Sequence, residues 1–483
     1  MSSIAPPPSD PTPAGGAEQG ETTSEPRGIP TPKRPLASVG RGLPFLARAN
    51  YRLELTAAFF MPFVLSIFEG SVISVLVRIA YEGAVDQLLL NKVSALLAVV
   101  PAVANLSSFV WVRLSHGKEK IRVLTRLQLA MIACVMLIGL APVNTTGLVL
   151  TVIACIAART CWAGVTTIRS TIWKQNYPDG ARAQITGRFA MVTTLMVALL
   201  ALGLGSLMKW DDRAFRVLVP VGCVMGLVAV LFWKRVRVRG RRSLVEGELS
   251  TDARGGPSLN PWAMVRVLRE DGRYAAFMTC QFLLGVGNIT AMSLLAIILR
   301  ETFDAGYLNS LMISTVITLA VMPLAIPLWA RFLDGTHIVR FRSIHSWVFV
   351  LALGLFLVAA RLELLWLMYV FALLKGIAFG GGVLAWTLGH LDFAPPEKAS
   401  QYMGVHVTLT GVRGVVAWLG GVWSYEALNR LQEGSGSWAI AGCLLLSSAG
   451  ALGFVLMSRH YAKRGLFERP NPPEPAPPTQ VDR

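Results

Sequence analysis

The sequence predicts an all-α polytopic membrane protein with twelve transmembrane helices in two six-helix bundles related by an internal repeat. Three observations carry this. The chain is 53% hydrophobic and 15% charged, whereas a soluble domain carries about 25% charged residues. Apolar runs long enough to cross a bilayer recur along its length. The two halves also share ordered matches at a nearly constant offset, which single coincidences do not produce.

Residues 1–45 are rich in Pro, Gly, Ser and Glu and lack the apolar run of a signal peptide. They read as a disordered cytoplasmic tail, as do residues 466–483. The expected spans are 53–79, 89–112, 121–142, 146–172, 188–208, 216–233, 273–299, 306–330, 342–360, 363–390, 400–427 and 436–458. Tyr274 to Leu299 contains no charge, while the third, sixth and ninth spans are short or carry a charge near one end. Residues 46–233 form the first bundle, 234–272 a basic cytoplasmic linker, and 273–465 the second bundle. Within the linker, NPWAMVRVLRED predicts a short amphipathic helix. Trp262, Val265 and Leu268 would face lipid, and Arg266 and Arg269 would face water.

The net charge of +17 lies in short bursts between apolar runs. That placement argues against a nucleic-acid partner and sets topology instead. Connections YEGAVDQ (81–87) and APVNTTG (141–147) hold no Lys or Arg. The alternate connections are rich in them: Arg113, Lys118, Lys120 and Arg122; Lys174, Arg182 and Arg188; Arg331, Arg340 and Arg342. KWDDRAFR (209–216) departs from the pattern, with two acids among its bases. The bias puts both termini in the cytoplasm and the protein in the cytoplasmic (inner) membrane. The six cysteines lie in apolar runs without CxxC pairing and read as small buried hydrophobes.

The repeat is clearest in WVRLSHGKEKIR (111–122) and WARFLDGTHIVR (329–340). Trp111 meets Trp329, Arg113 meets Arg331, Gly117 meets Gly335 and Arg122 meets Arg340, all at an offset of 218. Arg159 meets Lys375, Gly164 meets Gly380, and Ala183 meets Ala399 at an offset of 216. On these loops, and on ARTCWAG in the fourth span, residues 46–465 resemble the major facilitator superfamily of transporters. The resemblance implies secondary transport of a small solute by alternating access, coupled to protons or another ion; cations approaching the cavity from both halves, Arg159 and Lys375, would favour an anionic or polar solute. It implies a monomer in the lipid bilayer, with no nucleic-acid partner. It also implies that Arg113, His116, Gly117, Arg122, Arg331, Asp334, Gly335 and Arg340 belong to gating loops. The chain departs from the family at His116, where an Asp is usual, in its Arg-x4-Gly spacing in span four, and in lacking a Gly-Pro motif in span five.

Ionisable residues at a helix centre cost about 2.5–3.5 kcal/mol on insertion scales and normally face a bundle interior. Glu69, Arg159, Lys375 and Arg413 are such residues. Helices one, four, seven and ten line the cavity in facilitator-like folds. The resemblance therefore places Glu69, Arg159 and Lys375 around a substrate site, with Arg159 and Lys375 facing each other. Asn288 in span seven is a further cavity candidate, and Arg413 either supports a gate or binds solute. A structural Glu69–Arg159 ion pair is the alternative to a site. The sequence predicts no enzyme, catalytic residue, metal or cofactor, and it has no GxxxxGK[ST] loop. Three alternatives stay open: a drug or metabolite efflux pump, an embedded enzyme, and a non-transporting receptor or assembly factor.

Overall fold

In lipid, backbone amides find no water and must bond within their own segment, which favours helices. The computed structural model describes residues 45–68, 72–211, 213–252 and 256–467, and among these residues there are helices and no strand. Eleven helices are long and apolar enough to cross a membrane, or up to 12 when a bent pair is included. The two expected tails, apart from Phe45 at the first boundary and Leu466 and Phe467 at the second, lie outside the described residues, as does Glu69.

The bent pair forms the first span. Phe45–Phe60 and Pro62–Phe68 meet at 41°. Proline has no N–H, and its ring crowds the carbonyl four residues earlier, so the helix breaks at Met61. Val72–Ala80 continues the first segment. The spans that follow are Gln87–Ser115, Lys120–Leu140, Thr145–Asn176, Asp179–Trp210 and Phe215–Arg235. The second half runs through Gly272–Glu301, Leu308–Asp334, Ile338–Leu362, Leu365–Leu388, Ala399–Leu431 and Ala439–Lys463. Several spans extend beyond the apolar runs. Span five starts at Asp179 and span nine at Ile338 because their first turns carry charges at the bilayer edge.

The linker holds two helices, Arg241–Asp252 and Ala263–Glu270. In the second, Met264, Val267 and Leu268 pack on the core cluster that joins the halves, and Arg266 and Arg269 are exposed. Of the three residues expected to face lipid, Leu268 therefore packs on protein, while Trp262 is exposed.

One core cluster fills the first half, around Phe68, Met131, Ile168 and Trp233. A second lies on the far side of the second half, around Phe356 and Phe371. The third joins the halves, bringing Trp173, Tyr177 and Phe189 together with Ile326, Ala330 and Phe341. The seams run between spans five and eight and between spans two and eleven.

Polar contacts across these seams gather on the face that carries the two repeated loops. Asp334 accepts the Ala183 N–H at 2.7 Å and the Gln184 N–H at 3.0 Å in the second turn of span five. The Gln184 side chain adds a third donor at 3.0 Å. Lys174 donates to the Leu391 carbonyl at 2.5 Å, and Ser108 donates to the Gly404 carbonyl at 2.8 Å. The two halves are thus pinned together on this basic face.

Close approach of spans eight and ten depends on Gly380. A Cβ there would lie 2.8 Å from the Ala325 Cβ and 3.1 Å from the Met322 carbonyl oxygen. Gly380→Val should cost about 1–3 kcal/mol through overpacking. Gly354 has nothing within 4 Å of its Cβ position, so Gly354→Ala should leave stability unchanged or slightly raised. Thermal unfolding in detergent compares the two directly.

Candidate functional site

Two cavities meet in the interior. One, of about 310 Å³, lies in the second half and is lined by Gln281, Asn288, Arg342, Phe379, Trp386 and Arg413, among others. The other, of about 230 Å³, lies in the first half against Glu54, Gln128, Trp162, Arg169, Trp173 and Thr186. Val383 and Trp386 of span ten line both. They form two lobes either side of one helix, and each lobe is of small-molecule scale.

The lobes arise from helical spacing. Trp162, Thr166, Arg169 and Trp173 recur at steps of four, three and four, so they share one face of span four. Gln281, Gly285, Asn288 and Met292 do the same on span seven. Gly285 matters for what it omits: a Cβ there would fall on the Arg413 guanidinium. This glycine lets an arginine of span eleven lie against span seven.

In the second-half lobe, two arginines converge on one glutamine. Arg342 donates to the Gln281 side-chain oxygen at 2.6 Å, and Arg413 donates to the Gln281 backbone carbonyl at 3.1 Å. Arg342 is 2% exposed and Arg413 is 8% exposed. The Nε atoms of both make no hydrogen bond among the described residues. The lining of this lobe includes two guanidinium groups and no carboxylate. His345 lies 3.2 Å from Arg342 through Nδ1 and 2.8 Å from the Ala378 carbonyl through Nε2. Arginine can only donate and a carbonyl can only accept. His345 is therefore the neutral Nε2–H tautomer and adds no negative charge.

The first-half lobe is balanced differently. Glu54 is buried and accepts from Trp173 Nε1 at 2.6 Å and from the Tyr177 hydroxyl at 2.7 Å. Arg169 lies over the Trp173 ring at 4.4 Å and the Trp162 ring at 5.6 Å. These aromatic faces give the guanidinium a cation–π partner.

Of the residues singled out in the sequence, Asn288 and Arg413 line a lobe together. Arg159 and Lys375 are buried, but neither is among the described lining residues. The Arg159 guanidinium lies 5.0 Å over the Phe68 ring. Lys375 donates to the Ser314 carbonyl at 2.8 Å and the Ile313 carbonyl at 3.4 Å. Both carbonyls belong to a π-helical turn, Met312–Val316, in span eight. Among the loop residues, Arg113, Arg122, Arg331 and Arg340 are exposed, Asp334 pins the halves, and His116 is buried. Gly117 adopts φ of 65°, whereas Gly335 keeps an ordinary right-handed backbone. Asp392 accepts the Ile338 N–H at 2.7 Å and so caps span nine.

Glu54, Arg169 and Arg342 were missed. They lie near span ends, where charge reads as topology. The polar and aromatic stripe on span four was the signal that could have found Arg169.

A family profile for the Major Facilitator Superfamily matches residues 163–418, just over half of the chain. No curated protein matches the chain in sequence. Among solved structures, the human organic anion transporter MFSD10 (TETRAN) aligns with a TM-score of 0.59 at 13% identity, covering 86% of this chain and 100% of that one. The proton:xylose symporter XylE bound to 6-bromo-6-deoxy-D-glucose aligns with a TM-score of 0.61 at 11% identity, covering 86% and 95%. Identities this low speak for the fold alone.

The placement of Lys375 predicts that Lys375→Met lowers thermal stability by about 1–3 kcal/mol, because buried carbonyls lose a charged donor. Labelling of a cysteine at Asn288 should not change. Altered labelling with unchanged stability would instead put the lysine at the cavity.

Proposed function

The chain belongs to the Major Facilitator Superfamily, and from that membership we propose that it is a secondary transporter carrying a small organic anion by alternating access. The single observation that carries the anion reading is the Arg342–Gln281–Arg413 arrangement in a lobe whose described lining offers no carboxylate. Two buried cations sharing one neutral glutamine repel each other in a medium of low dielectric. A bound anion relieves that repulsion and takes up the unused donors. Phe349, Phe379 and Met292 supply apolar wall for the rest of the solute. A carboxylate or similar head on a compact apolar body fits this chemistry, and a headless sugar or an amine does not. One structural neighbour is an organic anion transporter, but the reading here rests on the arginines.

Both termini face the cytoplasm, by the Lys and Arg bias of the loops. The pinned basic face is then the cytoplasmic one, and the arrangement described is the state closed on that side. Among the described residues lining the two lobes, Glu54 is the single carboxyl. A proton coupled to transport would be carried there.

Replacing one arginine by glutamine removes about 1.5–3 kcal/mol of charged hydrogen bonding, which corresponds to roughly a 10- to 150-fold loss of affinity. Purified protein should be stabilised in thermal-shift assays by members of an organic carboxylate panel and not by their amides. Arg342→Gln and Arg413→Gln should each lose that response while keeping the fold. Equal stabilisation by the neutral amides, or an unchanged response in both variants, would contradict the anion reading.

A further inference from the structure

The two repeated loops are not latched in the same way. Asp334 of the second loop reaches across to the second turn of span five. The repeat puts His116 at the matching position of the first loop and Ala399 and Ser400 at the matching helix start. A histidine cannot accept two N–H groups as a carboxylate does, so the first loop lacks an acid at that position, and its Glu119 pairs instead with Arg122 and Arg241.

The linker fills that place. Glu248, on the linker helix Arg241–Asp252, accepts the Gly117 N–H at 2.8 Å and the Lys120 ammonium at 2.7 Å. Both side chains of the Lys120–Glu248 pair are 2% exposed. Lys120 also donates to the Ser115 carbonyl at 2.7 Å, which fixes it to the end of span two. Gly117 has the left-handed φ of 65°, and a Cβ there would strike Leu249 of the same linker helix. The glycine therefore both forms the turn and admits the helix. Arg241 adds an outer contact to Glu119 at 2.9 Å. On its other side the helix packs Gly247 against Glu397, in the short turn just before span eleven.

We propose that Glu248 is the acidic gate residue of the first loop, supplied by the linker, so that the Arg241–Asp252 helix clamps spans two and eleven together in the closed state. This rests on the transporter reading, since a gate implies that the basic face opens. It is independent of the anion assignment. Opening this seam separates the first loop from the start of span eleven. The linker helix bridges the two, so it must let go of one of them. Breaking the buried pair leaves a charge unanswered, which is strongly unfavourable unless both groups reach water. The pair therefore resists opening until water enters the seam.

The test uses full-length, cysteine-free protein in nanodiscs, without solute, spin-labelled at the exposed Arg113 and the half-buried Lys398. Pulsed electron resonance reads the distance between spans two and eleven. Glu248→Gln, which keeps the shape, should raise the long-distance population at least tenfold. Glu248→Asp, which keeps the charge, should fall between it and the parent. Glu246→Gln, exposed on the same helix, should match the parent. A Glu248→Gln distribution equal to the parent, or an equal shift in Glu246→Gln, would overturn the proposal. Failure of the anion reading would show separately, in the thermal-shift response of the parent.

Discussion

A charge buried in a lipid-surrounded bundle has to be answered by another group, and most of this structure can be read as answers. Asp334 is met by two backbone N–H groups and an amide. Lys375 is met by two carbonyls, and Lys120 by Glu248 and a carbonyl. Arg182 is turned back on the carbonyls of Trp173, Lys174 and Tyr177 at the end of span four. Glu54 is met by an indole and a phenol. Each answer ties together two segments, so satisfying charge and fixing architecture are the same act. Arg342 and Arg413 are answered least fully in the second half: they share one glutamine, and their Nε atoms make no hydrogen bond among the described residues, which is what the proposed anion would supply.

This view links the cavity to the gates. Hydrogen bonds across the seams contribute about 0.5–1.5 kcal/mol each where both groups are neutral, as at Ser108, and about 1.5–3 kcal/mol where Asp334 or Lys174 takes part. A handful of them hold the basic face shut without making it permanent. A solute that satisfies the arginines changes the energy of the lobe by a similar amount, enough to shift a balanced pair of states. The gates are also unequal. The second loop has an acid at the repeated position, Asp334, whereas at the first it is Glu248 of the linker that meets Gly117 and Lys120, a contact that sequence repetition does not announce.

Much of the fold was legible in the sequence, for physical reasons. Spans are set by hydrophobic length, and their order by the repeat, so the twelve segments and two halves followed from composition and spacing. The first span was harder, because Pro62 bends the helix without interrupting the apolar run. The site was less legible. Arg413 and Asn288 stand out because each is polar in mid-span. Arg342 lies in the first turns of span nine, where cations are common, and its reach to Gln281 depends on tertiary packing. Lys375 shows the opposite error. Its central position suggested a cavity, but a π-helical turn in a neighbouring span offers it carbonyls that no periodicity announces.

The central claim is that the arginine pair selects negative charge. Solute counterflow in proteoliposomes tests it most directly, using two solutes with the same apolar body, one ending in a carboxylate and the other in an ammonium group. The account predicts counterflow of the carboxylate alone. Counterflow of the ammonium solute, with none for the carboxylate, would contradict it.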